Sequence, residues 1–493
     1  MKWARLWIVI VLIVVIALLS VRFGGEYVRP TMNAPLPKWN PEYGYRFANL
    51  PPSVAGSTDS LFMVASFSGG GARASALSYG VLRELARTPI VWEGFRKNLA
   101  DELNIITALS GGSFTATYYA LHHDRIFQDF ESRFLRKDWE SELRARILQS
   151  PSNWLRLLSP YFGRAHIFAE LLDEALFSGA TFNDLVSSAQ RPLIYLHASD
   201  MATLARFEFN QRQFDLICSD LSKLPLAVAT AASSALPLVL SPLSLKNYAG
   251  QCGLDPPAYL TEIQRTLGGR KRATELRSYA DSEKRPYIHL VDGGLADNLG
   301  MRYILEFSAL VKDLEAALEL LGVQKVRKLV FLVVSAETDP NLNQYQLDQL
   351  PSFRRVLNAL VDIPINRYSD DTVELMHQAV THWRAQLRER ARTKKSVFAP
   401  DADIYFINAS LSELDNSEER SSLMSIPTNL SLTDAQVDDL LRAASTLIRN
   451  DAEFQRLLRD LETEAAKTPL ISRADHKSLH KTRSVHTTTL RGK

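Results

Sequence analysis

The stretch at residues 104–120 constrains the fold of this chain more than any other. A short apolar run ends there in Ser110, Gly111 and Gly112, and a segment with helical character follows. A serine on a tight turn between a strand and a helix presents its hydroxyl at the end of the strand, close to the free N–H groups of the helix. That is the position of an acyl-transfer nucleophile. A chain built around one must also supply a base, an oxyanion site and a substrate site.

Short apolar runs alternate with helical stretches along the chain. Strands are predicted at residues 61–67, 105–109, 192–198, 206–210, 287–291, 328–335 and 402–409. This alternation predicts an α/β fold with helices layered around a mostly parallel central sheet. Helices are predicted at residues 226–240, 298–321 and 433–461, and a polar surface excursion is predicted at residues 254–283.

The composition argues against some classes of function. The chain has 493 residues, of which 46% are hydrophobic and 23% charged, and its formal net charge is only +2. This balance argues for neither a nucleic acid nor a polyanionic substrate. The two cysteines, Cys218 and Cys252, have neither a metal-ligand nor a CxxC spacing. They could form one disulfide in an oxidising compartment or remain as two buried thiols, and their number does not decide between these states.

The N-terminus has the pattern of a membrane anchor. An apolar run follows Lys2 and Arg5, contains no charged side chain, and is not followed by a small-x-small cleavage site. We therefore expect residues 1–23 to form a single-pass transmembrane anchor, or an uncleaved signal sequence. Arg22 and Arg29 partly cancel the positive-inside signal, so the orientation is weakly determined, with a non-cytoplasmic location of the folded body slightly favoured.

A glycine loop follows the first predicted strand. Residues 68–71 are a serine and three glycines. A dinucleotide fingerprint would need a third glycine at Ala74, and a phosphate loop would need a Gly-Lys-Ser/Thr ending, which is absent. Consecutive glycines leave backbone N–H groups exposed and let a substrate oxygen approach closely, as an oxyanion hole requires. By itself, however, such a turn is more often structural.

Ser110 stands in the sequence ALSGG, which departs from the nucleophile-elbow pattern G-x-S-x-G only at Ala108. Alanine is small enough for a tight turn, although it leaves open which turn geometry holds the serine. Ser113 lacks the second glycine of the pattern and is expected to lie inside the following helix. Taken alone, Ser110 would more often be a helix-capping serine.

A serine hydroxyl needs a proton acceptor to become a good nucleophile. His377 and His382 lie after Asp292 in the chain, which fits the Ser…Asp…His order of α/β-hydrolases. Both histidines are nevertheless expected on the surface of a polar helix. Asp292 ends a predicted buried strand, and two glycines leave room beside it. Its carboxylate could act directly on Ser110, whereas Asp297 is expected to begin a helix.

Three motifs occur in one order along the chain: SGGGARA at residues 68–74, LSGGS at 109–113 and DGG at 292–294. Together they resemble patatin-like phospholipases, which are serine acyl hydrolases related to cytosolic phospholipase A2 that use a Ser–Asp dyad. The sequence AASSALP at residues 231–237 and the stretch at residues 160–185 also resemble this family. The resemblance covers most of the folded body.

The resemblance implies a layered α/β/α patatin-like fold and a role for each motif. Ser110 would be the nucleophile and Asp292 its general base. The amides of Gly70 and Gly71 would form the oxyanion hole, and Arg73 would anchor the glycine loop or bind a substrate phosphate. The implied substrate is a membrane phospholipid or lysophospholipid, and the implied catalysis needs neither a metal ion nor a cofactor. No protein partner is indicated.

Two other functions stay open at this point. A Ser-His-Asp triad esterase would keep Ser110 and recruit His377 or His382 as its base. A catalytically silent lipid-binding protein, tethered to the membrane, would use none of these residues for chemistry.

The chain is predicted to have five segments. They are a transmembrane anchor or uncleaved signal at residues 1–23, a Pro-rich linker at 24–60, a patatin-like catalytic domain at 61–409, a C-terminal helical extension at 410–466 and a basic, disordered tail at 467–493. Within the catalytic domain, residues 122–184 are predicted to form a helical cap rich in aromatic residues and arginines. The cap could pack on the core, and its apolar side could also meet acyl chains or a bilayer surface.

Overall fold

A computed structural model describes the chain at residues 2–19, 28–50, 58–188, 190–254, 267–310, 313–338, 353–390, 396–468 and 470. Its strands are β1 (Leu61–Phe67), β2 (Pro89–Trp92), β3 (Phe95–Asn98), β4 (Leu103–Leu109), β5 (Leu193–Asp200), β6 (Ala205–Phe209), β7 (Leu243–Lys246), β8 (Tyr287–Asp292), β9 (Val326–Ser335) and β10 (Phe398–Ser410). The main sheet has the order β10-β9-β1-β4-β5-β8-β7, and β6 also pairs with β5. β2 and β3 form a separate hairpin.

The centre of the main sheet is parallel. β10, β9, β1, β4 and β5 pair in parallel, with Ala65 opposite Ile106 and Ile106 opposite Ile194. β6, β8 and β7 join the sheet in antiparallel orientation. Every residue of β1 and β4 is buried, as expected for parallel strands that are covered on both faces. The predicted α/β fold with a mostly parallel sheet is confirmed.

Helices lie on both faces of this sheet. The first ten described α-helices are α1 (Lys2–Leu19), α2 (Gly71–Ala86), α3 (Ser110–His122), α4 (Ile126–Phe130), α5 (Trp139–Leu148), α6 (Pro151–Leu157), α7 (Arg164–Leu172), α8 (Phe182–Ser188), α9 (Gln211–Leu216) and α10 (Leu226–Ser233). The described α-helices that follow are named by their ranges: Leu267–Tyr279, Gly294–Asp297, Arg302–Leu310, Leu314–Leu320, Phe353–Arg390, Ser417–Met424, Asp434–Asn450 and Ala452–Lys467. Phe62 and Val64 of β1 face Ile304 on one side, and Phe67 lies against Gly112 of α3 on the other. Alternate side chains of a strand point to opposite faces, so the sheet is the middle layer of an α/β/α arrangement.

The single helix predicted at residues 433–461 is interrupted. Asp451 has an extended backbone, with φ −64° and ψ 124°. Its carboxylate accepts a hydrogen bond of 2.7 Å from the amide of Phe454, which is the geometry of a helix N-cap. The prediction of one helix is therefore wrong, because a second helix starts after this cap.

The prediction of a single helix at residues 298–321 is also wrong. Gly300 has φ +67°, a conformation that ends helical geometry. Asp313 then caps a new helix, since its carboxylate accepts a hydrogen bond of 2.9 Å from the amide of Ala316. Two short helices, Arg302–Leu310 and Leu314–Leu320, replace the predicted long one.

The small-residue helix predicted at residues 226–240 ends earlier, at Ser233. The carbonyl oxygens of Ser233 and Ala235 accept hydrogen bonds of 3.0 Å from the amides of Gly293 and Asp292. The helix therefore ends where the chain contacts the end of β8, before it reaches Pro237.

Residues 254–283 are not only a surface excursion, as predicted. They contain the helix Leu267–Tyr279, in which Ala273 and Tyr279 are fully buried. The phenolic hydroxyl of Tyr279 donates a hydrogen bond of 2.6 Å to Asp200 at the end of β5. The prediction is wrong for this helix, and residues 255–266 lie outside the described part of the chain.

The predicted transmembrane anchor is not supported. Within the described ranges, no helix is long and apolar enough to cross a membrane. α1 has 18 residues, and Lys2 and Arg5 belong to it.

Residues 28–50, part of the predicted linker, pack on the folded body. The phenolic oxygen of Tyr45 accepts a hydrogen bond of 2.8 Å from the amide of Ile194 in β5. The side-chain amide of Asn33 donates a hydrogen bond of 2.8 Å to the hydroxyl of Ser219. These residues therefore form a strap against the sheet. The remaining predicted segment boundaries stay predictions, and the tail at residues 471–493 lies outside the described part.

Cys218 and Cys252 are joined by a disulfide, so the alternative of two free thiols is wrong. The amide of Leu36 donates to the carbonyl of Cys218, and the amide of Trp39 donates to the carbonyl of Cys252, each at 2.8 Å. The disulfide therefore holds together the two loops on which the strap packs.

Candidate active site

Ser110 is the first residue of α3 and has a positive φ of 45°. This conformation is uncommon for a residue with a side chain and marks a strained turn. The turn needs the glycines after it, because a Cβ at Gly111 would overlap the carbonyl oxygen of Gly71, and a Cβ at Gly112 would lie 2.6 Å from the carbonyl oxygen of Phe67. Ala108 lies inside β4, so no glycine is needed there. The turn geometry left open by the sequence is thus a nucleophile-elbow type of turn.

Asp292 lies at the end of β8, directly beside the serine. The hydroxyl of Ser110 donates a hydrogen bond of 2.7 Å to Oδ2 of Asp292. The amide of Gly294 donates a hydrogen bond of 2.8 Å to Oδ1, which fixes the plane of the carboxylate. The structure therefore brings together the two residues predicted as nucleophile and base.

The carboxyl group of Asp292 is buried, and this burial raises its pKa to about 6, although the hydrogen bonds from Ser110 and Gly294 act in the opposite direction. A base with a pKa close to neutral pH is mostly ionised at pH 7 and can both accept and return a proton. The geometry and the pKa of Asp292 therefore suit proton transfer from Ser110.

Two serines at the end of α10, Ser233 and Ser234, hold the backbone of the turn. The hydroxyl of Ser233 accepts a hydrogen bond of 2.9 Å from the amide of Ser110 and donates one of 2.6 Å to the carbonyl of His197. The hydroxyl of Ser234 donates a hydrogen bond of 3.1 Å to the carbonyl of Ser110. Sequence reasoning assigned no separate role to either serine, and the only signal for them was the family resemblance of residues 231–237.

The glycine loop packs directly on this turn. A Cβ at Gly69 would lie 3.4 Å from Cβ of Ser110. Gly70 and Gly71 have φ values of +134° and +61°, which a residue with a side chain would rarely adopt. Among the described residues, their amides donate to no acceptor. Free N–H groups beside a nucleophile are what an oxyanion hole needs.

Asn298 joins the glycine loop to the turn after Asp292. Its carbonyl oxygen accepts a hydrogen bond of 3.2 Å from the amide of Gly69. Its side-chain oxygen fills the space where a Cβ at Gly69 or Gly294 would stand. The sequence did not single out this asparagine, because its importance comes from two loops that are far apart in the chain.

Arg73 anchors the glycine loop through hydrogen bonds to carbonyl groups of two distant segments. Its guanidinium group is fully buried and donates hydrogen bonds of 3.1 and 2.8 Å to the carbonyl of Ala336, and another to the carbonyl of Ile426. The amide of Ala72 donates a hydrogen bond of 2.8 Å to the carbonyl of Asn429. Of the two roles expected for Arg73, this geometry fits loop anchoring, since a buried guanidinium cannot reach a substrate phosphate.

Neither His377 nor His382 forms a described contact with Ser110 or Asp292. Both lie exposed on the helix Phe353–Arg390. The ring of His377 contacts the ring of Phe406, and His382 forms a hydrogen bond with Gln386. The structure therefore gives no support to a triad built on either histidine.

His197 is a buried histidine close to the site. Its ring contacts Tyr303, and neither ring nitrogen has a hydrogen-bond partner among the described residues. Burial and the nearby Arg206 lower its pKa to about 3, so the ring is neutral at physiological pH. Its contribution to the site is the backbone carbonyl that accepts from Ser233.

Asp297 belongs to the supporting structure. It ends the short helix Gly294–Asp297 instead of beginning one at residue 298, as was expected. Its carboxylate accepts hydrogen bonds from Arg206 at 3.4 Å and from the amide of Gly300 at 3.0 Å. Burial raises its pKa to about 6, while Arg206 acts in the opposite direction.

A strained serine at the carboxyl end of β4, bonded to a buried aspartate at the end of β8, defines an α/β protein with a Ser–Asp pair at the edge of its sheet. Residues 65–305 match the family model for patatin-like phospholipase. The chain therefore carries a patatin-like phospholipase domain, and the resemblance in its motifs is confirmed over these residues. A comparison with curated protein sequences found no match.

Among solved structures, this chain is similar to human GIVD cytosolic phospholipase A2, with 11% identity and a TM-score of 0.34. The same protein in complex with methyl gamma-linolenyl fluorophosphonate has 10% identity and a TM-score of 0.38. These matches cover 83% of this chain and 63% and 60% of the respective structures, so the chain spans less than two thirds of their length. VipD from Legionella pneumophila matches with 10% identity and a TM-score of 0.26, over 85% of this chain and 71% of its own.

Proposed function

We propose that this protein is a lipid acyl hydrolase of the phospholipase A or lysophospholipase type, in which Ser110 is the nucleophile and Asp292 its general base. The observation that carries the proposal is the hydrogen bond of 2.7 Å from the hydroxyl of Ser110 to the buried carboxylate of Asp292. The patatin-like phospholipase domain over residues 65–305 supports a lipid ester as the substrate.

In the first half-reaction, Oγ of Ser110 attacks the ester carbonyl carbon while its proton passes to Oδ2 of Asp292. The tetrahedral intermediate collapses when the bond to the leaving alcohol breaks, and Asp292 gives its proton to the alcohol oxygen. An acyl-serine ester remains. In the second half-reaction, Asp292 takes a proton from a water molecule, whose oxygen attacks the acyl carbon. The fatty acid leaves, and the proton returns to Ser110.

The negative charge of each tetrahedral intermediate would be stabilised by the amides of Gly70 and Gly71. Each such donor contributes about 3–4 kcal/mol to transition-state stabilisation in acyl hydrolases. The dyad needs no third residue to orient its base, because the amide of Gly294 already fixes the Asp292 carboxylate. A loop of free amides and a pre-oriented carboxylate are compatible with catalysis by two side chains.

The proposed function is tested with a fluorophosphonate probe, which reacts with activated serines. Wild type is expected to be labelled and Ser110→Ala is not. Ser417→Ala is the matched control, because Ser417 is exposed at the start of the helix Ser417–Met424; its labelling should equal that of wild type. Labelling that survives Ser110→Ala contradicts the assignment of the nucleophile.

Release of fatty acid is the second readout. Wild type is expected to hydrolyse a phospholipid or a lysophospholipid in vesicles or micelles. Failure to release fatty acid from phospholipid, lysophospholipid and short-chain ester alike would instead favour the catalytically silent lipid-binding protein.

We further propose that the folded body works in an oxidising compartment, because a disulfide such as Cys218–Cys252 persists there and is rare in the cytosol. Thiol trapping of the protein in its native source tests this. Two alkylated cysteines in the trapped protein would contradict it.

A further inference from the structure

Exposed apolar side chains cluster around the turn that follows α10. We call them the Trp154 patch, which consists of Trp154, Leu155, Leu158, Tyr161, Leu238 and Val239. Each is between 40% and 58% exposed. Exposed apolar side chains that lie together, unlike scattered ones, mark surfaces that bind a membrane or another protein.

The patch is continuous although it comes from two parts of the chain. Its first four residues belong to α6 and the loop after it, and its last two follow α10. The guanidinium group of Arg164 donates a hydrogen bond of 2.8 Å to the carbonyl of Leu238. The amide of Ala165 donates one of 3.2 Å to the hydroxyl of Ser241. These bonds join the start of α7, which follows the loop after α6, to the turn after α10.

The patch also adjoins the Ser–Asp pair. The amide of Asp292 donates a hydrogen bond of 3.0 Å to the carbonyl of Ala235, and Leu238 is three residues further along the chain. At about 3.6 Å per residue, Leu238 therefore lies within about 11 Å of Ala235. Leu238 has a φ of +73°, which is rare for leucine. Its side chain is 54% exposed, three residues along the chain from the carbonyl that accepts the hydrogen bond from Asp292.

Cations outnumber anions around the patch. Residues 144–164 contain four arginines and no acidic residue. Two of these arginines are paired with glutamates outside the stretch, namely Arg146 with Glu174 and Arg156 with Glu170.

The other two arginines, Arg144 and Arg164, are exposed and form no ion pair with any residue in the described ranges. Arg29 adds a third guanidinium group, which stacks 4.2 Å above the ring of Tyr161. Because Arg144 and Arg164 form no ion pair with a described residue, the border of the apolar surface carries more cations than acidic partners, which makes it complementary to anionic lipid headgroups above a hydrocarbon layer.

We infer that the Trp154 patch docks on an anionic lipid bilayer, so that a substrate lipid can pass from the bilayer to Ser110 without crossing water. The inference rests on the proposed function for the identity of the substrate, and on the patch itself for the bilayer. A second copy of this chain fits less well, because a symmetric contact would bring Arg144 and Arg164 of both copies together.

The test measures binding and hydrolysis separately. Binding is followed by co-sedimentation with vesicles of phosphatidylcholine, with and without phosphatidylglycerol, in the Ser110→Ala background so that the vesicles stay intact. Trp154→Ala/Leu155→Ala is expected to weaken binding by about tenfold or more. Leu320→Ala is the matched control, because Leu320 is 58% exposed on a different helix; it should bind as the parent does.

The arginines are tested in the same assay. Arg144→Gln should weaken binding only to vesicles that contain phosphatidylglycerol, and added salt should reduce the difference. Arg459→Gln is the control, since Arg459 is exposed on the helix Ala452–Lys467; it should not change binding.

Hydrolysis separates this inference from the proposed function. With Ser110 present, Trp154→Ala/Leu155→Ala should hydrolyse a soluble short-chain ester as wild type does and vesicle lipid more slowly. Unchanged vesicle binding by this variant overturns the docking surface even if wild type is an active hydrolase. Vesicle binding that depends on the patch, in a protein without hydrolase activity, supports the surface and contradicts the proposed function. Loss of a dimer in solution, with vesicle binding unchanged, would identify a second copy as the occupant.

Discussion

Asp292 combines burial with a charge that the proposed chemistry needs. Among the described residues, its carboxylate receives two hydrogen bonds, from Ser110 and Gly294, and burial raises its pKa to about 6. A buried charge with few donors is costly, and such groups concentrate at sites where proton transfer takes place. The protonation state of Asp292 should therefore affect both the rate of the reaction and the stability of the protein.

The rate should follow the ionisation of Asp292. Only the carboxylate form can accept the proton of Ser110, so kcat/KM for a soluble ester is expected to fall as pH decreases through about 6 and to level off above it. A pH–rate profile measured over the range in which the protein stays folded checks this. A profile that keeps its full value well below this pKa would contradict a general base with a raised pKa.

The free energy of unfolding should change with pH in the direction opposite to the rate. Because the pKa of Asp292 is raised from 3.8 to about 6 on folding, the folded state binds the proton more tightly, and stability falls as pH rises through this window. The cost at higher pH is roughly 3 kcal/mol. Asp292→Asn is therefore expected to be inactive and to unfold at a higher temperature than wild type at pH 8, with a smaller difference at pH 4. Thermal unfolding at both pH values is the measurement, and a less stable variant at pH 8 would contradict it.

At the scale of elements, the site depends on segments that lie far from its motifs. The glycine loop is held by Arg73, which reaches the carbonyls of Ala336 and Ile426, and by Asn429. The matched family domain ends at residue 305, so all three of these contacts lie outside it. The segment after β10 thus takes part in holding the loop that is proposed to stabilise the oxyanion.

Arg73→Ala removes this anchor and leaves buried carbonyl groups without donors. The free energy of unfolding is expected to decrease by about 2–4 kcal/mol. Because Gly70 and Gly71 would shift, kcat should fall by up to about a hundredfold while KM changes little. Arg442→Ala is the control, since this arginine is exposed on the helix Asp434–Asn450. Wild-type kcat in a folded Arg73→Ala protein would contradict the anchoring role.

The sequence predicts the parts of the site that are local in the chain. The turn at Ser110 and the strand end at Asp292 are recognisable, because a buried apolar run followed by glycines has few structural solutions. Ser233 could not be found in this way, since its hydrogen bond to Ser110 spans 123 residues. The same reason applies to Asn298 and to the residues that hold Arg73, whose partners are chosen by the packing of distant loops.

Helix ends were predicted less well than strands, again for a local physical reason. Apolar periodicity continues across residues 433–461, but the carboxylate of Asp451 caps a new helix within it. Strands β1 and β9 were predicted well because both are buried on two faces and therefore form continuous apolar runs.

At the scale of the whole molecule, the sheet extends beyond the family domain. β9 and β10 follow residue 305, yet β9 pairs in parallel with all seven residues of β1. On the other side of the sheet, the strap at residues 28–50 is tied to the disulfide loops by Leu36 and Trp39. The domain that carries the site is therefore completed by chain on both sides of it.

The disulfide should contribute measurably to this assembly. Cys218 and Cys252 are separated by 34 residues, and closing a loop of this length stabilises the folded state by about 3–4 kcal/mol in the chain-entropy account. Reduction, or Cys218→Ser/Cys252→Ser, is therefore expected to lower the midpoint of denaturant unfolding, with the reduced wild type resembling the double variant. An unfolding midpoint that does not respond to reduction would contradict this.

The most direct test of the central claim is a comparison of fatty-acid release from phospholipid and lysophospholipid by wild type, Ser110→Ala and Asp292→Ala, each checked for folding by circular dichroism. The Ser110–Asp292 dyad predicts that wild type releases fatty acid and that both variants lose at least about a thousandfold in rate. Release at a wild-type rate by folded Ser110→Ala or Asp292→Ala would contradict the account.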